Sequence, residues 1–244
     1  EIEAEKKLEN FRQKNKNYLY PSFNTIAGTG SNGAIIHYRA SKKTNKIIKK
    51  KDIFLCDSGG QYRYGTTDVT RTICFDKQNL NVKKIFTYVL KGHIAVASTN
   101  LKKDSFGKKI DINARKFLKQ NGLDYLHGTG HGVGHFLNVH EGPQAISKFN
   151  TIKIKEGMIL SNEPGFYKKN KFGIRIENLV YVKKQNKKLF FENLTMAPIE
   201  KDLINYNLLT NFEKNYLFKY HLNVYSKISK YLNLNEKKWL ASLI

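Results

Sequence analysis

The chain has 244 residues, of which 40% are hydrophobic and 12% aromatic, and a formal net charge of +23. That length can bury a sizeable core in one large domain, and no run of 18 apolar residues is present to form a membrane span. The charge would suit nucleic acid, but the lysines are scattered (Lys42-Lys43, Lys49 to Lys51, Lys168-Lys169, Lys183-Lys184, Lys187-Lys188), so it reads as surface decoration rather than a nucleic-acid face.

The opening Glu1-Ile-Glu-Ala-Glu-Lys is charged and carries no secretory pattern, so the cytoplasm is the expected compartment. Glu3 to Lys16 has helical composition and is broken by Tyr20-Pro21. Thr25 to Ala27 and Ala34 to Tyr38 read as short strands around Gly28-Thr-Gly30-Ser-Asn-Gly33. No helix pattern follows those glycines, so they predict a turn rather than a phosphate cradle. Ile53 to Asp57 and Thr67 to Phe75 read as strands, and period-two alternation puts Asp68, Thr70 and Thr72 on one face of the second. Cys56 and Cys74 fall in these strands and are expected to be buried thiols rather than a disulfide.

Leu80 to Leu101 is the strongest helix, with a stripe of Val82, Ile85, Phe86, Val89, Leu90, Ile94, Ala97 and Leu101 that reads as core. His93 is expected to be an ordinary residue of that helix. A second helix spans Asp111 to Gln120, with Asp111 as N-cap and Gly122 as stop. Asp124 to Leu126, Gly157 to Glu163, Gly173 to Val182 and Leu189 to Leu194 read as strands. Phe212 to Leu232 and Glu236 to Leu243 read as helices. Two helix-plus-strand halves, near 53–122 and 123–232, predict an α+β domain with a site between them.

The chemistry sits in five unusual segments. Asp57 ends one strand and Asp68 begins the next, which places both at one end of the pair. Turn-capping is the alternative for each. His127, His131, His135 and His140 put four of the seven histidines into one glycine-rich stretch, the setting of imidazoles aimed into a cleft. Glu163 precedes Pro164-Gly165 and could simply face solvent. Glu177 lies among Ile174, Ile176, Leu179 and Val180, where a carboxylate needs a cation or an arginine. With Arg175 assigned to the opposite strand face, a cation is the economical partner. Asp57, Asp68, His131, Glu163 and Glu177 together bring four carboxylates and one imidazole, a donor set whose charge matches two divalent cations.

Asp57-Ser-Gly-Gly-Gln, Gly65-Thr-Thr-Asp68-Val-Thr-Arg-Thr72, His127-Gly-Thr-Gly-His131-Gly, Asn138-Val-His140-Glu-Gly-Pro143, Asn162-Glu163-Pro-Gly and Gly173-Ile-Arg-Ile-Glu177-Asn, in this order, resemble the X-Pro aminopeptidases (aminopeptidase P) of the creatinase and methionine-aminopeptidase superfamily. The resemblance runs over essentially the whole chain. It implies a pita-bread fold around two metal ions, typically manganese, with Asp57, Asp68, His131, Glu163 and Glu177 as ligands and Asp68 and Glu177 bridging. It implies that Glu163 is also the general base. His37, His127 and His140 would surround the substrate and stabilise the reacting carbonyl, with Tyr167 and Arg175 close behind. Tyr64 and His135 depart from the family pattern at positions that are not ligands.

The implied reaction is removal of the N-terminal residue from peptides with proline second, by a water held between the metals. Competing readings are an X-Pro dipeptidase, a methionine aminopeptidase, or a non-catalytic pita-bread module binding peptide or nucleic acid. The family also implies a homodimer and further domains ahead of the catalytic one, while the lack of a long apolar run predicts no membrane association. Residues 1–244 are therefore expected to be a single metallopeptidase catalytic domain.

Overall fold

The structure is a computed structural model and describes residues 1–136 and 138–244. In chain order it contains α1 (Ile2–Gln13), β1 (Tyr18–Pro21), β2 (Ile26–Thr29), a 3-10 turn (Gly30–Ala34), β3 (Ile53–Ser58), β4 (Gly60–Tyr62), β5 (Gly65–Thr66), β6 (Val69–Cys74), α2 (Leu80–Ala97) and α3 (Gly107–Lys119). There follow β7 (Gly130–His131), β8 (Ala145–Ile146), β9 (Ile159–Asn162), β10 (Gly165–Lys168), β11 (Phe172–Arg175), β12 (Asn178–Gln185), β13 (Lys188–Asn193), α4 (Asn211–Ile228) and α5 (Leu234–Ala241).

Two three-stranded antiparallel sheets matter most: β2-β3-β6 and β9-β12-β13, with β12 central in the second. Helix α2 packs against β9 and β13 of the second sheet and against β10 and β11. Asn79 caps it by accepting a hydrogen bond from the Val82 N–H at 3.0 Å, and the apolar stripe from Val82 to Ile94 is buried as its spacing requires. Leu217, Tyr220 and Val224 of α4 join the same core. Thr210 and Glu213 start α4 with a capping box, and Glu213 also accepts the buried Lys91 ammonium at 2.6 Å. Among the described residues, no helix is long and apolar enough to cross a membrane.

Four sequence expectations fail locally. Ala34 to Tyr38 is not a strand: the glycine turn folds back so tightly that a Cβ on Gly28 would lie 2.7 Å from the Gly33 nitrogen. The Tyr38 hydroxyl is instead buried and donates to the Glu1 carboxylate at 2.8 Å. Asp124 to Leu126 is a loop, because Arg115 takes its polar groups: the Asp124 carboxylate at 2.8 Å and the Tyr125 carbonyl at 2.6 Å. Asp111 does not cap α3. The helix starts at Gly107, and Asp111 lies inside it, bonded at 2.9 Å to Arg115 one turn on. Gly122 does take the left-handed stop conformation, with φ +68°.

Gly173 to Val182 is two strands. Between them the Glu177 N–H turns to the Thr70 carbonyl of the other sheet, at 3.1 Å, while Arg71 Nη1 takes the Glu177 carbonyl at 2.5 Å. Both cysteines are free and half-buried. Cys56 lies opposite Arg71 and Cys74 opposite Ile53, so they do not pair.

Candidate metal centre

Strand register brings the acids together. Asp57 pairs with Thr70 across β3 and β6, and the next pair, Ser58 with Val69, carries Asp68 just beyond it. Asn162 and Asn178 form the terminal pair of β9 and β12, so Glu163 leaves one strand where Glu177 enters the other. The Glu177–Thr70 backbone bond joins the two sheet ends. His131 comes from the short β7–β8 ribbon, which leans on β9 through His131 N–H donating to Ser161 Oγ at 2.9 Å. Ser161 Oγ in turn donates to Glu163 Oε1 at 2.9 Å.

The five residues meet in one cleft of about 490 Å³, which His37, His127, His140 and Arg175 also line. Three overlapping sets have ligand atoms within 4.8 Å of one another: Asp57, Asp68 and Glu177; His131, Glu163 and Glu177; and Asp68, His131 and His140. The last set places His140 within ligand reach, a proximity that the sequence motifs did not indicate. The His140 ring stands edge-on to His131, with centroids 4.0 Å apart. Tyr167 does not line the cleft; it stands behind His127, bonded through its hydroxyl to His127 Nε2 at 2.9 Å.

A hydrogen-bond chain runs behind the acids. Arg175 Nη2 donates to Asp57 Oδ2 at 2.5 Å, Nη1 to the Tyr167 hydroxyl at 2.6 Å, and Nε to Thr70 Oγ1 at 3.0 Å. Thr70 Oγ1 passes its own proton to Glu177 Oε2 at 2.7 Å. Arg175 and Glu177 therefore act on the same side of the site, against the sequence assignment of opposite faces. Residues two apart share a strand face, and the break at Glu177 keeps them linked through Thr70. Alternation had already placed Thr70 and Thr72 with Asp68. Both prove buried, with Thr70 on Glu177 and Thr72 on the Arg175 backbone.

Do these residues fit cations? Burial, with repulsion from neighbouring acids, pushes Asp68 and Glu177 well above the usual carboxylate range, and burial raises Asp57 despite Arg175. Asp57 Oδ1 is buried without a hydrogen-bond partner. His131 has Nδ1 on the Gly132 carbonyl at 2.9 Å, which leaves the Nε2 lone pair facing Asp68 and Glu163 oxygens, each 3.4 Å away. That is the tautomer a metal-binding imidazole needs. Surplus buried negative charge, an unpartnered carboxylate oxygen and an oriented imidazole fit divalent cations.

Two of the cleft histidines are held toward the neutral form: burial lowers His127, and burial together with His131 lowers His140. His127 uses both nitrogens, Nδ1 on the Gly128 carbonyl at 2.7 Å and Nε2 on Tyr167. Burial, opposed by Arg175, pushes the Tyr167 hydroxyl up to about 12, so it remains a donor. His37 lies on the exposed rim, on the loop after the glycine turn. No periodicity in the sequence singles it out.

Known proteins resemble this chain over nearly its whole length. The model of metallopeptidase family M24 matches residues 1–184, and that of the C-terminal region of peptidase M24 matches residues 187–243. An uncharacterized peptidase of Schizosaccharomyces pombe is 46% identical over 252 residues, and a probable Xaa-Pro aminopeptidase P of Laccaria bicolor is 47% identical over 253. These alignments cover 99% and 98% of this chain but 42% and 39% of the relatives, so the chain spans about two fifths of their length. The X-prolyl aminopeptidase of Caenorhabditis elegans, described as a cytosolic enzyme with a di-nuclear active site, superposes with a TM-score of 0.93 at 37% identity. That match covers 100% of this chain and 42% of the other. A prolidase from Pyrococcus furiosus superposes with a TM-score of 0.71 at 32% identity, over 80% of this chain and 55% of the other. The fold is the pita-bread arrangement of those structures, and the chain belongs to metallopeptidase family M24.

Proposed function

We propose that this chain is the catalytic domain of a metal-dependent aminopeptidase that removes the N-terminal residue from peptides with proline in second position. The convergence of Asp57, Asp68, His131, Glu163 and Glu177 in one cleft carries the reading. Asp57, Asp68, His131, Glu163 and Glu177 would hold the metal ions, and Glu163 would also serve as general base. When bound, two divalent ions, with manganese as our choice, supply Lewis acidity toward the scissile carbonyl and an attacking water.

The chain's own residues do the rest. Glu163, steadied by Ser161, accepts the proton of the attacking water and returns it to the leaving proline nitrogen. The scissile nitrogen needs this proton to depart as a neutral amine. Neutral His140 faces the cleft beside His131 and donates toward the developing oxyanion. His127, with both nitrogens held, offers a fixed ring face to the substrate rather than a proton. His37 closes the rim. Arg175 and Tyr167 hold Asp57, Glu177 and His127 in place, so they serve the substrate indirectly.

The similarity to the Caenorhabditis elegans enzyme over the full chain favours an aminopeptidase, while the prolidase likeness keeps the dipeptidase reading testable. All five ligand residues are present, which speaks against a non-catalytic module. A homodimer and a cytosolic location complete the proposal; the first rests on the family resemblance and the second on the description of the Caenorhabditis elegans relative. The test is hydrolysis of Arg-Pro-Pro and Ala-Pro after chelation, with manganese, cobalt and zinc restored separately. The expected result is release of arginine from Arg-Pro-Pro, restored best by manganese. Cleavage of Ala-Pro alone would make the protein a dipeptidase.

A further inference from the structure

His93 is fully buried on α2, away from the cleft lining, and the mechanism above does not use it. Its Nδ1 lies 3.1 Å from the Asn162 carbonyl oxygen. That carbonyl belongs to the same peptide unit as the Glu163 N–H, which donates to the Thr129 carbonyl at 2.8 Å. A planar peptide unit held at both ends cannot rotate. The Asn162 side chain closes the clamp by donating from Nδ2 to the His93 carbonyl at 2.9 Å, and Asn162 is itself fully buried. Asn162 also pairs with Asn178, the neighbour of Glu177. Burial, with Arg71 nearby, pushes the ring down to about 3, so it is neutral with one N–H. An Nδ1 facing a carbonyl must be the protonated nitrogen.

We infer that His93 is a positioning residue: through Nδ1–H it locks the Asn162–Glu163 peptide plane and so fixes the aim of the Glu163 carboxylate and its spacing from Glu177. This rests on the role given to Glu163 above. A residue that merely filled core volume would be replaceable by any side chain of similar size. A positioning donor is replaceable only by one with an N–H at the Nδ1 position, which asparagine has and glutamine and leucine lack.

The experiment compares His93→Leu, His93→Asn and His93→Gln in two ways: turnover of Arg-Pro-Pro with manganese present, and calorimetric titration of the metal-free chain with Mn²⁺. With His93→Leu, kcat should fall about 10- to 100-fold and Mn²⁺ affinity by about 10-fold, while KM stays within about twofold. His93→Asn should recover to within about threefold of the unaltered chain, and His93→Gln should resemble the leucine variant. Unchanged kcat and Mn²⁺ affinity in His93→Leu would overturn the inference, as would an asparagine variant no better than glutamine. If His93→Leu does not fold, the asparagine and glutamine variants decide the matter between them. An unaltered chain that binds Mn²⁺ without cleaving the peptide would sink the aminopeptidase reading alone, since the titration would still report on His93.

Discussion

Two clusters of acid lie on either side of the His127–His131 loop and treat their charge differently. Behind the loop, Arg115 bonds Asp111 at 2.9 Å, Asp124 at 2.8 Å and the Tyr125 and His127 carbonyls, each at 2.6 Å. The second oxygen of Asp111 accepts from Thr129 at 2.6 Å. There one guanidinium answers two acids. Although partial burial opposes it, the Arg115 bond holds Asp124 below the usual carboxylate range. In front of the loop, four acids share the cleft with Arg175, and three of them are pushed upward. The first cluster is complete within the fold, whereas the second is built for a ligand that brings positive charge.

The difference can be tested by breaking each cluster. Replacing Glu163 by Gln leaves shape but removes the base, so X-Pro hydrolysis should drop by at least about 10³-fold, roughly 4 kcal/mol of barrier, with the circular-dichroism spectrum unchanged. Arg115→Met should instead destabilise the fold by about 3–5 kcal/mol in urea, because it strands Asp111 in the interior. That loss should be the same with and without Mn²⁺. A variant rescued by metal would erase the distinction between the clusters.

His221 offers a third way to bury a titratable group, as a neutral acceptor. Its Nε2 receives the Ile199 N–H at 3.0 Å, and burial, aided by Arg71, lowers it to about 4. The unfolded chain protonates near pH 6.5 and the folded chain does not. Its contribution is thus intact above about pH 6.5 and is lost as pH falls toward about 4, in total about 3 kcal/mol. Denaturation at pH 7 and pH 5 should show the slope, and His221→Gln should flatten it.

Metal should act only on the front cluster. At a concentration about 100 times its Kd, Mn²⁺ should stabilise the chain by about 2.7 kcal/mol, visible as a raised Tm that Asp57→Asn diminishes. The smallest effect belongs to Asp124→Asn: the Asp124 side chain is 44% exposed, so the loss should stay below about 1 kcal/mol.

The front cluster was legible in the sequence because Asp57, Asp68 and Glu163 stand at strand ends, Glu177 lies among apolar residues, and their motifs follow one another in a recognisable order, while period-two alternation alone put Thr70 and Thr72 beside Asp68. Backbone partner exchange was not. Nothing in Ile174-Arg-Ile-Glu177-Asn says that Glu177 gives its N–H to another sheet, so one strand was expected where there are two. Ile35, Ile36 and Tyr38 suggested a strand, but hydrophobicity there reports a buried Tyr38 hydroxyl network and an exposed Ile35. Helical spacing put His93 on α2 without revealing that its ring meets a carbonyl 69 residues away. Such bonds depend on how elements dock, which local pattern does not encode.

Arg71 carries a last consequence. Its guanidinium gathers the Glu177 carbonyl at 2.5 Å, the Pro198 carbonyl at 2.8 Å, the Ala197 carbonyl at 2.7 Å and the Tyr220 hydroxyl at 3.0 Å. It thereby rivets the 187–243 region to the strand break that presents Glu177. The boundary between the two matched family regions is therefore no mechanical seam. Damage in α4 would be felt in the cleft, and the C-terminal region serves as part of the vice that grips the reaction centre.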